Sequence, residues 1–205
     1  MSYKYFYSLN YKKINKNKKK IKAVFLDRDG TLNIDTGYIN DIKDIRMMPG
    51  TYKALRSFAD MGFHLVIITN QSGIARGLID QDQLKKVNRE MLLKFKRKNI
   101  EFLGIYFCPH FKEGVVEAFS FECRCRKPNA FMIKRAEADF NIDLKKSVMI
   151  GDKISDIQAG KNAGLKTVLV NSGIFSIEDT AGSPLKPDFI AGRLTDAVSW
   201  IKKNV

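Results

Sequence analysis

Beyond residue 20 the chain alternates short apolar runs with segments whose apolar residues recur every three or four positions. Five runs read as strands: "IKAVFLD" (21–27), "FHLVIITN" (63–70), "FLGIYFC" (102–108), "SVMIGD" (147–152) and "KTVLVN" (166–171). A short sixth is expected at "PDFIA". The intervening segments 51–62, 80–99, 128–140 and 154–164, and a terminal one near "LTDAVSWIKKN", carry the helical period. Nearly continuous apolar strands separated by amphipathic helices predict an α/β fold, a doubly wound parallel sheet with helices on both faces. Pro49-Gly50 precedes the first helix, Gly62 and Gly164 follow two others, and Pro128 suits a first helical position. The segment "GTLNIDTGYINDIKDIRMMPG" fits neither period and reads as a loop or small hairpin at the sheet edge.

Charge changes the picture only at one end. The formal net charge is +14, but residues 1–22 hold eight lysines and no acid, which leaves +6 on the remainder. Residues 1–20 therefore read as a basic, flexible, solvated arm, and residues 21–205 as one domain. The arm lacks the apolar stretch and cleavage site of a secretory signal, and no run approaches the roughly 20 apolar residues of a membrane span. Three cysteines, an odd number, argue against a disulfide framework. A soluble, cytoplasmic monomer is the expectation.

Chemistry concentrates where strands end. Asp27 follows "AVFL", Thr69 and Asn70 follow "LVII", and Asp152 follows "VMIG". In a parallel sheet these ends share the carboxyl edge, where open α/β sheets bind ligands. Asp29 stands two residues beyond Asp27, and side chains so spaced on an extended backbone point the same way. Two such carboxylates repel, and a divalent cation would relieve the repulsion. With Asp152 the site is all-oxygen and suits Mg²⁺.

A second constellation fills "CPHFKEGVVEAFSFECRC" (108–125), which holds every cysteine and one of two histidines. Cys108, His110, Cys123 and Cys125 form a Cys₃His set of the kind that closes around structural Zn²⁺. The Cys-x-His and Cys-x-Cys spacings are tight and demand a sharply turned chain. His64, inside "GFHLVII", reads as an ordinary sheet residue.

The ordered set "DRDGT", "TN" ending a strand, "RKP" and "GDKISD" resembles the haloacid dehalogenase-like (HAD) phosphohydrolase superfamily over residues 21 to about 171. The cysteine-rich loop, "GYI" (37–39), "TNQSGIARG" (69–77) and "CRCRKP" (123–128) are similar to its branch of heptose 1,7-bisphosphate 7-phosphatases and histidinol-phosphatases, and match all four zinc positions of that branch. The resemblance implies Asp27 as nucleophile, forming an aspartyl-phosphate, and Asp29 as general acid and base. It implies Mg²⁺ held by Asp27, Asp152 and the Asp29 carbonyl, Thr69 and Asn70 on the phosphoryl oxygens, and Lys127 balancing charge beside the nucleophile. Asp156 would orient Lys127 or a metal-bound water. Arg126 and Arg76 form a positive rim that suits a second phosphate.

The gaps between motifs leave no room for a large cap. The implied substrate is a small phosphorylated sugar, a heptose bisphosphate for lipopolysaccharide precursors. Histidinol phosphate, with its amine, fits an arginine rim less well. The alternatives are a polynucleotide 3′-phosphatase, which resembles the chain at "DxDGT" and "TNQ-x-GI-x-RG" and for which the basic arm could hold nucleic acid, and a binding domain that kept the fold without catalysis.

Overall fold

The computed structural model describes residues 5–9, 19–171 and 185–205. Its strands are β1 (Phe6–Tyr7), β2 (Ala23–Leu26), β3 (His64–Asn70), β4 (Phe102–Cys108), β5 (Val148–Gly151), β6 (Lys166–Val170) and β7 (Phe189–Ala191). They form one sheet in the order β1-β4-β3-β2-β5-β6-β7. All pairings are parallel except the antiparallel β1–β4 contact. The helices are α1 (Thr51–Asp60), α2 (Gln81–Lys96), α3 (Phe131–Phe140), α4 (Ile154–Ala163) and α5 (Leu194–Asn204).

Strand period explains why the apolar runs are continuous. Val24 and Leu26, Leu65 and Ile67, and Val148 and Ile150 face the α1–α2–α5 side of the sheet. Their neighbours Ala23 and Phe25, Val66 and Ile68, and Met149 face the α3–α4 side. Both faces are covered, so neither parity of these strands can be polar. The order β3-β2-β5 sets the ends of three such strands side by side, and this places the site.

The structure amends the expected arm at residues 5–9. Phe6 and Tyr7 pair with Tyr106 and Ile105, Tyr5 is buried, and the Phe6 ring occupies the space over Gly104, where a Cβ would come within 2.3 Å of it. Aromatic burial and backbone pairing on an otherwise open edge strand outweigh solvation of the neighbouring lysines. Residues 1–4 and 10–18 of the arm lie outside the described residues. A second amendment concerns Pro128, which does not open α3. The amide of Asn129 donates to Arg126 O at 2.9 Å, making a turn, and the helix begins at Phe131.

The aperiodic segment is a lip rather than a cap. Ile34 N donates to Arg46 O and Met48 N to Leu32 O, closing a small hairpin around a single 3₁₀ turn at Ile42–Asp44. Leu32, Ile39 and Ile45 anchor it in the core.

Candidate active site

At the carboxyl edge of β2, β3 and β5 lies a cavity of about 320 Å³, whose walls include Asp27, Asp29, Thr69, Asn70, Arg126 and Lys127. Asp152 and Asp156 stand behind it, buried, with carboxylate oxygens within 4.8 Å of those of Asp27. Parallel pairing of β2 with β5 brings Asp27 and Asp152 together across 125 residues of sequence.

Lys127 is the hub. Its ammonium, itself buried, donates to Ile68 O at 2.8 Å and lies 2.8 Å from Asp27 Oδ1 and 2.5 Å from Asp156 Oδ1. One carbonyl and two carboxylates surround the ammonium, so the cation is fixed. Asp156 is committed to this task, because its other oxygen accepts from Lys153 N at 3.0 Å and caps the start of α4. Of the two partners expected for Asp156, Lys127 is the one it contacts among the described residues. The Lys127 amine is pushed up: burial opposes its charge, but Asp156 and Asp27 outweigh burial.

At Asp27 and Asp152, in contrast to Lys127, burial prevails and disfavours the charged form. Burial pushes the Asp27 carboxyl up to about 6, with Lys127 opposing and Asp156 adding to the rise. Burial also pushes Asp152 up to about 7, reinforced by Asp27 and Asp156. Asp152 Oδ2 is buried with no hydrogen-bond partner. An orphaned carboxylate oxygen beside a second carboxylate is the donor set of a hard divalent cation, so the residues fit Mg²⁺. Gly30, at φ +85°, lets the backbone pass this close: a Cβ there would stand 2.1 Å from Asp152 Oδ2.

Asp29 departs from the expectation. The chain leaves β2 at Leu26 and turns, so Asp27 and Asp29 line one cavity but do not share one strand face. The Asp29 carboxylate is drawn onto Arg28, whose Nη2 donates to Oδ2 at 2.8 Å. It also accepts from Gln71 Nε2 at 2.8 Å and Asn33 Nδ2 at 2.9 Å. Burial would raise its pKa, but Arg28 and these hydrogen bonds outweigh burial and hold it below the usual carboxylate range. The repulsion between the two acids is thus relieved chiefly by a buried arginine, and the need for a cation lies among Asp27 and Asp152. No motif or period in the sequence marks Arg28, Gln71 and Asn33 as the cradle of this carboxylate. An arginine between two acids carries no periodic signal.

Asn70 lines the cavity and also bonds the main chain. Its side chain donates to Lys127 O at 3.1 Å and accepts from Lys127 N at 3.0 Å, splicing the end of β3 to the Lys127 segment. Thr69 Oγ1 accepts from Gln71 Nε2 at 2.9 Å and remains at the cavity wall. Arg126 lines the cavity, whereas Arg76 does not. The Arg76 guanidinium stacks 4.0 Å from the centre of the Phe111 ring, which draws it onto the cysteine-rich loop. His64 opens β3 at the far edge of the sheet.

The four predicted zinc residues converge. Sγ–Sγ distances among Cys108, Cys123 and Cys125 are 3.2 to 3.4 Å, and His110 Nδ1 lies 3.2 Å from Cys125 Sγ and 3.6 Å from Cys108 Sγ. These spacings exceed a disulfide bond of about 2.05 Å. They approach the roughly 3.8 Å edge of a tetrahedron with metal–sulfur bonds of ~2.3 Å. Hydrogen bonding to Cys125 and burial push the Cys108 thiol up, so the deprotonated set needs a cation at its centre. The residues fit Zn²⁺. Tyr5 of the N-terminal segment packs edge-on to His110, with ring centres 5.1 Å apart.

Comparison with known proteins agrees with this geometry. The HAD-hydrolase-like family model matches residues 124–197. The D-glycero-beta-D-manno-heptose-1,7-bisphosphate 7-phosphatase of Haemophilus ducreyi is 44% identical over 88% of this chain and 98% of its own length. The enzyme of that name from Yersinia pestis is 41% identical over 89% of this chain and 96% of its own. The chain belongs to the heptose-1,7-bisphosphate 7-phosphatase family of HAD-like hydrolases. A solved member, the D,D-heptose 1,7-bisphosphate phosphatase of B. bronchiseptica complexed with magnesium and phosphate, superposes with a TM-score of 0.77 at 25% identity, covering 90% of this chain and all of that one.

Proposed function

We propose that the protein is a Mg²⁺-dependent phosphomonoesterase that removes the C7 phosphate of D-glycero-β-D-manno-heptose 1,7-bisphosphate. The observation that carries the reaction class is the Lys127-fixed Asp27 beside the orphaned Asp152 oxygen. The relatives' names carry the substrate.

Asp27 is the nucleophile. Lys127 holds one of its oxygens and Arg28 N donates to the same atom at 2.7 Å, which leaves the other oxygen for phosphorus. As Asp27 Oδ bonds to phosphorus, the phosphorus–oxygen bond to the sugar breaks. The leaving oxygen takes the bonding pair and a proton from Asp29. Water then attacks the aspartyl-phosphate and gives its proton to Asp29, and Asp27 departs as a carboxylate. Asp27 and Asp152, with the Asp29 carbonyl, would hold Mg²⁺, which supplies neutralisation of the phosphoryl oxygens. Thr69 offers its hydroxyl to those oxygens, and Arg126 at the wall receives the second phosphate. Cys108, His110, Cys123 and Cys125 would hold Zn²⁺ in a closed site that fixes the loop carrying Phe111.

Phosphate release across a panel tests the reading. The heptose bisphosphate should exceed histidinol phosphate and simple phosphate esters by about 100-fold in kcat/KM. Comparable low turnover on all of them overturns the substrate. Unchanged turnover by a folded Asp27→Asn variant overturns the nucleophile.

A further inference from the structure

Arg28 is the largest of the fully buried side chains among the described residues, and it stands between the two acids of the site. A guanidinium survives burial only where its donors are matched. Here Nε and Nη2 reach both oxygens of Asp29 at 2.8 to 3.1 Å. Nη2 also donates to Gln71 Oε1 at 3.0 Å, and Nη1 to Asn88 Oδ1 at 3.1 Å.

Two of these partners make sense only through Arg28 and Asp29. Asn88 lies on the core face of α2 with Leu84, Val87, Met91 and Leu92, fully buried. Its amide nitrogen has no hydrogen-bond partner. An apolar side chain would fill that position without stranding a polar group, so its acceptance from Arg28 is what the amide provides. Gln71 accepts from Arg28 through Oε1 while its Nε2 donates to Asp29 and to Thr69 Oγ1, which ties the guanidinium and the carboxylate to the end of β3.

We propose that Arg28 is the positioning residue for Asp29, aiming its carboxyl at the ester oxygen, and that Asn88 and Gln71 hold Arg28 in place. The inference rests on the acid and base role given to Asp29 above. The side chains hydrogen-bonded to the Asp29 carboxylate among the described residues, Arg28, Gln71 and Asn33, are all donors. Such a cradle is complementary to the carboxylate. Without the Arg28 guanidinium the Asp29 carboxyl loses the two-pronged contact that aims it, so proton transfer at the ester oxygen suffers while Asp27 keeps its own contacts to Lys127 and the Arg28 backbone amide.

Leaving-group dependence separates the two. Departure of 2,4-dinitrophenolate needs no proton, and kcat/KM reports the first transfer to Asp27 alone. Arg28→Met should lower kcat/KM for the heptose bisphosphate by about 100-fold and for 2,4-dinitrophenyl phosphate by less than about 3-fold. Asn88→Ala should show the same skew, smaller in size, and carries the test if Arg28→Met shows no cooperative melt. Parallel losses on the two esters, or no loss on either, overturn the proposal. Asp29→Asn is the reference. If it shows the skew and neither Arg28→Met nor Asn88→Ala does, the positioning role falls alone. If it shows no skew, the acid and base reading falls and takes the positioning role with it.

Discussion

Asn70→Ala tests whether this side chain grips the phosphate or the protein. Its two hydrogen bonds to the Lys127 backbone, at 3.0 and 3.1 Å, join the end of β3 to the residue that fixes the nucleophile. Each such bond contributes about 1 kcal/mol net, so the variant should lose about 2 kcal/mol. For a chain of this size that corresponds to a fall of about 4–8 °C in Tm. The loss should extend to catalysis, because Lys127 Nζ sits 2.8 Å from Asp27 and displacement by ~1 Å can cost about 100-fold in rate. A fall in kcat of ~10- to 100-fold is expected. Inhibition by inorganic phosphate, which reads the phosphate contacts directly, should weaken by less than about 3-fold, whereas loss of a charge-assisted contact would weaken it by ~10-fold or more. Thermal melts, phosphate-release kinetics and product inhibition on one preparation decide. An unchanged Tm with phosphate inhibition weakened tenfold would refute the reasoning and return Asn70 to the phosphate.

Lys127→Met strands two buried carboxylates, Asp27 and Asp156, and should cost ~3 kcal/mol in urea unfolding along with turnover; unchanged stability would refute the hub. Zinc measured by elemental analysis should be one per chain in the purified protein and fall below about a tenth in Cys108→Ser, with faster proteolysis of the 108–125 loop; equal zinc in both would refute the site. Asp188 Oδ2 accepts from Lys161 Nζ at 2.5 Å, Thr167 N at 2.7 Å and Thr167 Oγ1 at 2.9 Å. Burial would raise its carboxyl, but these contacts outweigh burial and hold it below its ordinary value. Its contribution to stability is therefore present above about pH 4 and lost as pH falls through the lower folded value. Wild type should melt above Asp188→Asn at neutral pH and converge with it in acid; a gap constant across that range would refute the assignment.

The parts of this molecule legible in the sequence are those imposed by a repeating period. Each buried strand must be apolar at both parities, so the polar residues that end Phe25–Leu26, Ile67–Ile68 and Met149–Ile150 stand out, and parallel order carries Asp27, Thr69 and Asp152 to one edge. The Cys₃His set is legible for another reason: rare residue types crowd one loop. What escaped has no period. Arg28 fills its role through contacts to Asn88 and Gln71, 60 and 43 residues away. Asn70 can serve a phosphate or a backbone with the same amide, and the position of Lys127, which offers it the backbone, is set by the fold and not by any local pattern. Phe6 and Tyr7 lie among lysines whose charge conceals a two-residue strand, and the open edge of β4 that recruits them is a property of the sheet. Arg76 was placed by its flanking glycines, whereas the ring of Phe111 claims it.

Two glycines give the site an uneven tolerance to change. A methyl group on Gly30 would intrude on Asp152, and one on Gly151 would meet the Asp156 carboxyl at 2.3 Å. The cavity walls include side chains on loops, while behind them, at the floor, the main chain of Gly30 and Gly151 packs directly against Asp152 and Asp156. Diversification of this enzyme by mutation should therefore proceed from the rim inward and stop at that floor, where the smallest possible enlargement already displaces the groups that do the chemistry.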